Sequence, residues 1–154
     1  MLIMDCDGVL TDGGMYYTEK GDEFKKFNTR DGMGIELLHK HGILTGIVTG
    51  ENCELVRRRS KKMQITELKM GSREKLKDVM EICEKYRISM NEIAYIGDDI
   101  NDLEVMKHAG LSFAPADAAK IIKETASCLC EKKGGEGVVR EVAEKIIGRQ
   151  EWTC

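Results

Sequence analysis

The stretch Leu2-Ile3-Met4-Asp5-Cys6-Asp7-Gly8-Val9-Leu10-Thr11-Asp12 decides how this chain is read. An apolar run stops at two carboxylates spaced i, i+2, and glycine follows at once. In an extended strand those two side chains lie on one side. Two like charges at the end of a buried strand are costly unless something positive sits between them. Carboxylate and carbonyl oxygens suit a hard divalent cation such as magnesium. Asp-Gly also ends strands as a plain turn, so this run alone leaves both readings open.

Moving outward, Val48-Thr49-Gly50 closes a second apolar run, and Lys75 sits near the start of a helical pattern in Gly71-Ser72-Arg73-Glu74-Lys75-Leu76. The segment Ile93-Ala94-Tyr95-Ile96-Gly97-Asp98-Asp99-Ile100-Asn101-Asp102 repeats the opening theme, with acids following a glycine-broken strand. Singly, each piece has a bland explanation. Thr-Gly is an ordinary strand end, a lysine there an ordinary surface charge, and Asp99 or Asp102 suits a helix N-terminus. The dipole explanation accounts poorly for a tight Gly-Asp-Asp directly after an apolar strand.

The spacing predicts strands over 2–4, 43–48, 65–68, 93–96 and 111–114, with helices over 32–40, 53–63, 72–86 and 102–109 between them. Such alternation implies an α/β fold: a Rossmann-like, doubly wound, mostly parallel sheet with helices on both faces. Ligands in these sheets bind beyond the carboxyl ends of the strands. The candidate residues all fall at such ends, except Lys75 on its helix. Residues 14–28 break the pattern. Met15-Tyr16-Tyr17-Thr18 and Glu23-Phe24-Lys25-Lys26-Phe27-Asn28 flank Glu19-Lys20-Gly21-Asp22, which reads as a β-hairpin flap. No insertion is long enough for a cap domain, so the site is expected to be open. The flap carries an apolar load in Met15, Tyr16, Tyr17, Phe24 and Phe27 that copies could cover by pairing around a symmetry axis.

A length of 154 residues predicts one domain, 1–154. A net charge of -3 gives no footprint for nucleic acid. No run of ~18 apolar residues is present, so no membrane span is expected, and no signal segment is expected ahead of Asp5. Of six cysteines, Cys6 and Cys53 flank candidate site segments, Cys83 lies on a helical pattern, Cys128 and Cys130 bracket Leu129, and Cys154 is last. One Cys-x-Cys with only three histidines is poor zinc spacing. Reduced thiols in a cytoplasmic protein are the expectation.

Taken together and in this order, Asp5-x-Asp7, Thr49, Lys75 and Gly97-Asp98-Asp99-x-x-Asp102 resemble the haloacid dehalogenase-like phosphohydrolases. With Asp7-Gly8-Val9-Leu10-Thr11-Asp12-Gly13, Lys26-Phe27-Asn28-Thr29-Arg30-Asp31-Gly32 and Gly134-Gly135-Glu136-Gly137-Val138-Val139-Arg140-Glu141, the chain is similar to their capless branch. That branch holds phosphatases of 3-deoxy-octulosonate 8-phosphate and of nonulosonate 9-phosphates, and the phosphatase-like domain of some acylneuraminate cytidylyltransferases. The resemblance implies a phosphoric monoester hydrolase, magnesium-dependent, acting on a small sugar phosphate. Asp5 is implied as nucleophile and Asp7 as acid and base. Asp5, the Asp7 carbonyl and Asp98 are implied as metal ligands, and Thr49 and Lys75 as phosphate holders. Asp99, Asn101 and Asp102 are implied to position Lys75 or metal-bound water.

Glu51 and Lys62 are the substrate-side candidates and look more like the nonulosonate arm, although the basic run Arg57-Arg58-Arg59 and Lys62 also suits a solvated helix face. After the glycines, 138–147 reads as a final helix. The resemblance implies a homotetramer in which the tail, 134–154, carries Arg140 to a neighbour's site. On that reading, removing the chain from Gly134 onward leaves the fold intact. Two alternatives stay open: a catalytically silent oligomerisation module, and a phosphatase of other small sugar phosphates.

Overall fold

A computed structural model describes residues 1–21 and 23–148. Asp22 of the hairpin turn, Cys154 and the rest of the tail beyond Gly148 lie outside the described residues. Strand β1 (Leu2–Met4) is followed by the flap strands β2 (Tyr16–Tyr17) and β3 (Glu23–Phe24). Then come α1 (Thr29–Lys40), β4 (Thr45–Thr49), α2 (Glu54–Lys62), β5 (Glu67–Met70) and α3 (Lys75–Tyr86). The chain continues through β6 (Ala94–Ile96), α4 (Leu103–His108), β7 (Leu111–Ala114), α5 (Lys120–Thr125), β8 (Cys128–Leu129) and α6 (Val138–Ile147).

The sheet runs β5-β4-β1-β6-β7-β8 and every pairing in it is parallel. Order reverses between β1 and β6, the switch point where doubly wound sheets open a crevice. Alternation along the strands sorts side chains into two cores. Leu2, Met4 and Ile47 pack with Ile35 and Leu38 of α1, Val56 of α2, and Val138, Val139 and Val142 of α6. Ile3, Val48 and Tyr95 face Val79 and Ile82 of α3, Val105 of α4 and Ile122 of α5. Strands apolar on both faces and covered on both faces are what parallel sheets require.

Helix α1 starts earlier than the apolar period suggests. Asn28, read as the end of a flap strand, is its N-cap and accepts from the Arg30 amide at 2.9 Å. Phe27 is also not exposed as expected; it forms a bridge with Thr11 and lies half-buried, 5.6 Å under the Arg59 guanidinium. Met15, Tyr16, Tyr17 and Phe24 are exposed. Helix α5 has no counterpart in the sequence reading. It is short, and only Ile122 of it is buried, too little to generate a period.

The expectation that the fold survives loss of the chain from Gly134 onward is contradicted by α6. Helix α6 is a core element, with Val138, Val139, Val142 and Ala143 fully buried against α1. The contact is close: a methyl on Gly34 would stand 2.8 Å from Arg140 Cα. Deleting such a helix removes several fully buried aliphatic side chains, at about 1.5–3 kcal/mol each. The preceding glycines are stitched to the loop after β1. Gly135 N donates to Val9 O at 2.9 Å, Asn28 Nδ2 donates to Gly135 O at 3.2 Å, and a methyl on Gly134 would meet Gly8 O at 2.0 Å. Among the described residues no helix is long and apolar enough to cross a membrane. Cys6, Cys53, Cys83, Cys128 and Cys130 are free thiols.

Candidate active site

The switch point brings two strand ends side by side. Asp5 follows β1 and its amide donates to Ile96 O of β6 at 3.0 Å, while Gly97-Asp98 leaves β6 next to it. Gly8 lets the two loops touch. Its φ is +81°, and a methyl there would stand 2.0 Å from Asp98 Oδ2. Gly97 gives the same close approach to Asp102, whose Cβ would lie 2.4 Å from an added methyl.

Lys75, at the start of α3, reaches under this junction with its side chain 2% exposed. Its Nζ lies 2.9 Å from Asp5 Oδ2 and 2.7 Å from Asp102 Oδ1. Asp102 is held from every side: Tyr95 Oη donates to Oδ1 at 2.6 Å, and the Asp98 and Asp99 amides donate to Oδ2 at 3.0 and 3.4 Å. Asp98 Oδ1, by contrast, is buried and has no partner.

One oxygen each from Asp5, Asp98 and Asp102 lies within 4.8 Å of the others. Three carboxylates against one lysine leave a formal deficit of two positive charges. That imbalance, with burial, shifts these groups. Burial, then the charge of Asp102, pushes the Asp5 carboxyl up to about 7 despite Lys75. Burial, then the charges of Asp5 and Asp102, pushes Asp98 up to about 8. Burial draws the Lys75 ammonium down, but Asp5 and Asp102 outweigh it and leave it raised. An orphaned buried carboxylate oxygen among acids that resist ionising fits a hard divalent cation.

Asp7 stands apart from that cluster. Thr11 Oγ1 donates to its Oδ1 at 3.0 Å, and Lys25 Nζ of the flap lies 2.7 Å from Oδ1 and 2.8 Å from Oδ2. Thr49, at the end of β4, is buried, and its hydroxyl accepts from the Glu51 amide at 3.2 Å. Asp5, Asp7, Thr49, Glu51, Asp98, Asp99 and Asn101 border one open cleft of about 340 Å³, with Lys75 and Asp102 beneath.

Lys62 and Arg140 do not border it. Lys62 is exposed at the end of α2. Arg140 lies on α6 with its Nε 2.6 Å from Glu144. It lines a larger groove of about 650 Å³ whose charged walls pair among themselves, as Lys145 does with Glu141 at 3.1 Å. That groove gathers no buried acids; the buried acid cluster lies at the smaller cleft. Of the three residues expected to position Lys75 or metal-bound water, Asp102 is the one in contact with the lysine. Asp99 instead caps the 3₁₀ turn Ile100–Asp102 through the Ile100 amide at 2.7 Å, and Asn101 is exposed.

The sequence reading missed Tyr95, Thr11, Lys25 and Asp31. Tyr95 had a signal: a tyrosine inside an aliphatic strand needs a buried hydrogen-bond partner. Thr11 was hidden in the turn after β1 and Lys25 in the hairpin, where alternation shows which face points inward but not what it meets. Asp31 accepts from the Arg140 amide at 3.1 Å and so caps α6 from α1, a contact across 109 positions that no local pattern reveals.

The haloacid dehalogenase-like hydrolase family matches residues 44–142. A 3-deoxy-D-manno-octulosonate 8-phosphate phosphatase of Yersinia pestis is 40% identical over 151 residues, spanning 98% of this chain and 81% of that one. Among solved structures, a probable YrbI-family phosphatase of Pseudomonas syringae superposes with a TM-score of 0.94 at 39% identity, covering 97% of this chain and 85% of that chain. The octulosonate 8-phosphate phosphatase of Moraxella catarrhalis, in complex with a magnesium ion, a phosphate ion and KDO, gives 0.92 at 35% identity, covering 95% and 84%.

Proposed function

The chain belongs to the haloacid dehalogenase-like hydrolases and is a phosphoric monoester hydrolase, and from that premise we propose that it is a magnesium-dependent phosphatase of a 3-deoxy-2-ulosonate phosphate, octulosonate 8-phosphate foremost. The observation that carries this reading is Asp5 at the switch point, 2.9 Å from buried Lys75 and beside the unpartnered oxygen of Asp98. Relatives named for octulosonate 8-phosphate, matching nearly the whole chain, support the substrate.

Asp5 attacks phosphorus in line, and the ester P–O bond breaks as the Asp5 Oδ–P bond forms. Asp7 gives its proton to the leaving oxygen, then takes one from the water that hydrolyses the aspartyl-phosphate. The Thr49 hydroxyl and the Lys75 ammonium hold phosphoryl oxygens, and Asp102 with Tyr95 keeps Lys75 in place. Asp5, Asp98 and the Asp7 carbonyl would hold magnesium, which when bound neutralises negative charge on the phosphoryl group. The cleft is open, and the exposed flap side chains favour cover by other copies in a homotetramer. A cytoplasmic location accords with the free thiols.

A nonulosonate 9-phosphate is the second reading. It is favoured by Glu51 on the cleft wall, whose carboxylate accepts from sugar hydroxyls. Hydrolysis of octulosonate 8-phosphate, nonulosonate 9-phosphates and hexose phosphates, each with magnesium, tests both. Octulosonate 8-phosphate is expected to have the highest kcat/KM. A hexose phosphate in first place refutes the ulosonate class, and no turnover of any ester leaves the silent module.

A further inference from the structure

The flap is built inside out. Met15, Tyr17 and Phe24 face solvent at 57, 63 and 56% exposure, while the Lys25 side chain is 2% exposed. Its neighbour Lys26 behaves as a surface lysine, 60% exposed and 3.5 Å from Asp12. Burying an ammonium is costly, and an apolar side chain would anchor a flap better. The charge is therefore there for its partner.

That partner is Asp7. Lys25 contacts both of its oxygens, at 2.7 and 2.8 Å, and Thr11 adds a bond to Oδ1 at 3.0 Å. The carboxyl plane is thus held from two segments, the flap and the turn after β1. Resting on the phosphatase reading above, we infer that Lys25 is a positioning residue acting through Asp7, orienting its carboxyl to hand a proton to the departing ester oxygen. In that step the ester P–O bond breaks, Asp5 gains phosphorus, the leaving oxygen gains the Asp7 proton, and the resulting Asp7 carboxylate remains paired with Lys25.

Leaving groups separate this role from flap anchoring. The ratio kcat/KM reports events up to ester cleavage, before water attacks the aspartyl-phosphate. An alkyl ester such as octulosonate 8-phosphate needs the proton at that point, whereas p-nitrophenolate departs without one. Lys25→Met in the full chain, with saturating magnesium, is expected to lose at least about tenfold more kcat/KM on the alkyl ester than on p-nitrophenyl phosphate. Lys25→Arg, which restores donors, is expected to recover most of that difference. Equal losses on both esters, or no loss, overturn the inference while leaving the phosphatase reading standing. Should Lys25→Met fail to fold by circular dichroism, Lys25→Gln is read in the same comparison. Wild-type protein that hydrolyses no alkyl phosphate overturns the phosphatase reading, and this inference with it.

Discussion

Replacing Asp98 with asparagine should kill the enzyme and stabilise its metal-free fold. The carboxyl is pushed from an ordinary 3.8 to about 8 by burial and by Asp5 and Asp102. Four units at ~1.4 kcal/mol each set a ceiling of about 5–6 kcal/mol for the cost of folding with this group ionisable. The group is only half-buried, and solvent screening reduces the figure to roughly 2–3 kcal/mol. At pH 7.5 most of that cost is in force, because the unfolded carboxyl is already ionised. The Asp98→Asn amide keeps the shape and sheds the charge. For a chain of this length about 2–4 °C follows each kcal/mol, so the chelated variant should melt roughly 4–12 °C above chelated wild type. Magnesium should raise the wild-type melting temperature and leave the variant where it was. A chelated Asp98→Asn protein that melts at or below wild type would show that the acid cluster carries no stored repulsion, and the argument for the cation would fail.

Asp5→Asn should lower turnover at least about a thousandfold at saturating magnesium with the melting profile retained; near-normal turnover would remove Asp5 as nucleophile. Because Asp5 and Asp98 are raised to about 7 and about 8, magnesium must displace protons near neutrality. Its apparent affinity should rise between pH 6 and about 8, and titration calorimetry in buffers of different ionisation enthalpy should detect the released protons. Asp31 is raised to about 6, chiefly by burial, with the Arg140 and Val139 amides pulling the other way. The stability its neutral form contributes is whole below pH 3.8 and lost as pH passes about 6. Asp31→Asn should therefore gain on wild type by up to about 3 kcal/mol as pH rises through that window, and a pH-independent difference in denaturant midpoint would contradict this.

The sheet was legible because its strands are short, aliphatic and closed by Gly or Asp. Ile3 and Leu2 show that they are covered on both sides, and Thr49 and Asp98 show where they end. The acid cluster was legible for the same reason, since it is written in strand-terminal dipeptides. What failed was everything set by contact across the fold. Asn28 looks extended until Arg30 needs a cap, and Phe27 looks exposed until Arg59 lies over it. Asp99 looks equivalent to Asp102 until the 3₁₀ turn sends one outward and buries the other. Arg140 and Lys62 were placed by resemblance, and in a single copy of the chain neither reaches the cleft.

The glycine seam between the Gly134-Gly135 turn and the loop after β1 predicts that the order of synthesis sets when activity begins. Gly8 and Val9 emerge from the ribosome long before Gly134 and Gly135, yet they lean on them. A nascent chain holding Asp5, Lys75 and Asp98 has the whole acid cluster and its lysine and still lacks the wall against which the loop after β1 packs. Turnover by ribosome-stalled chains of increasing length should stay silent until the segment after Gly134 has cleared the tunnel and docked.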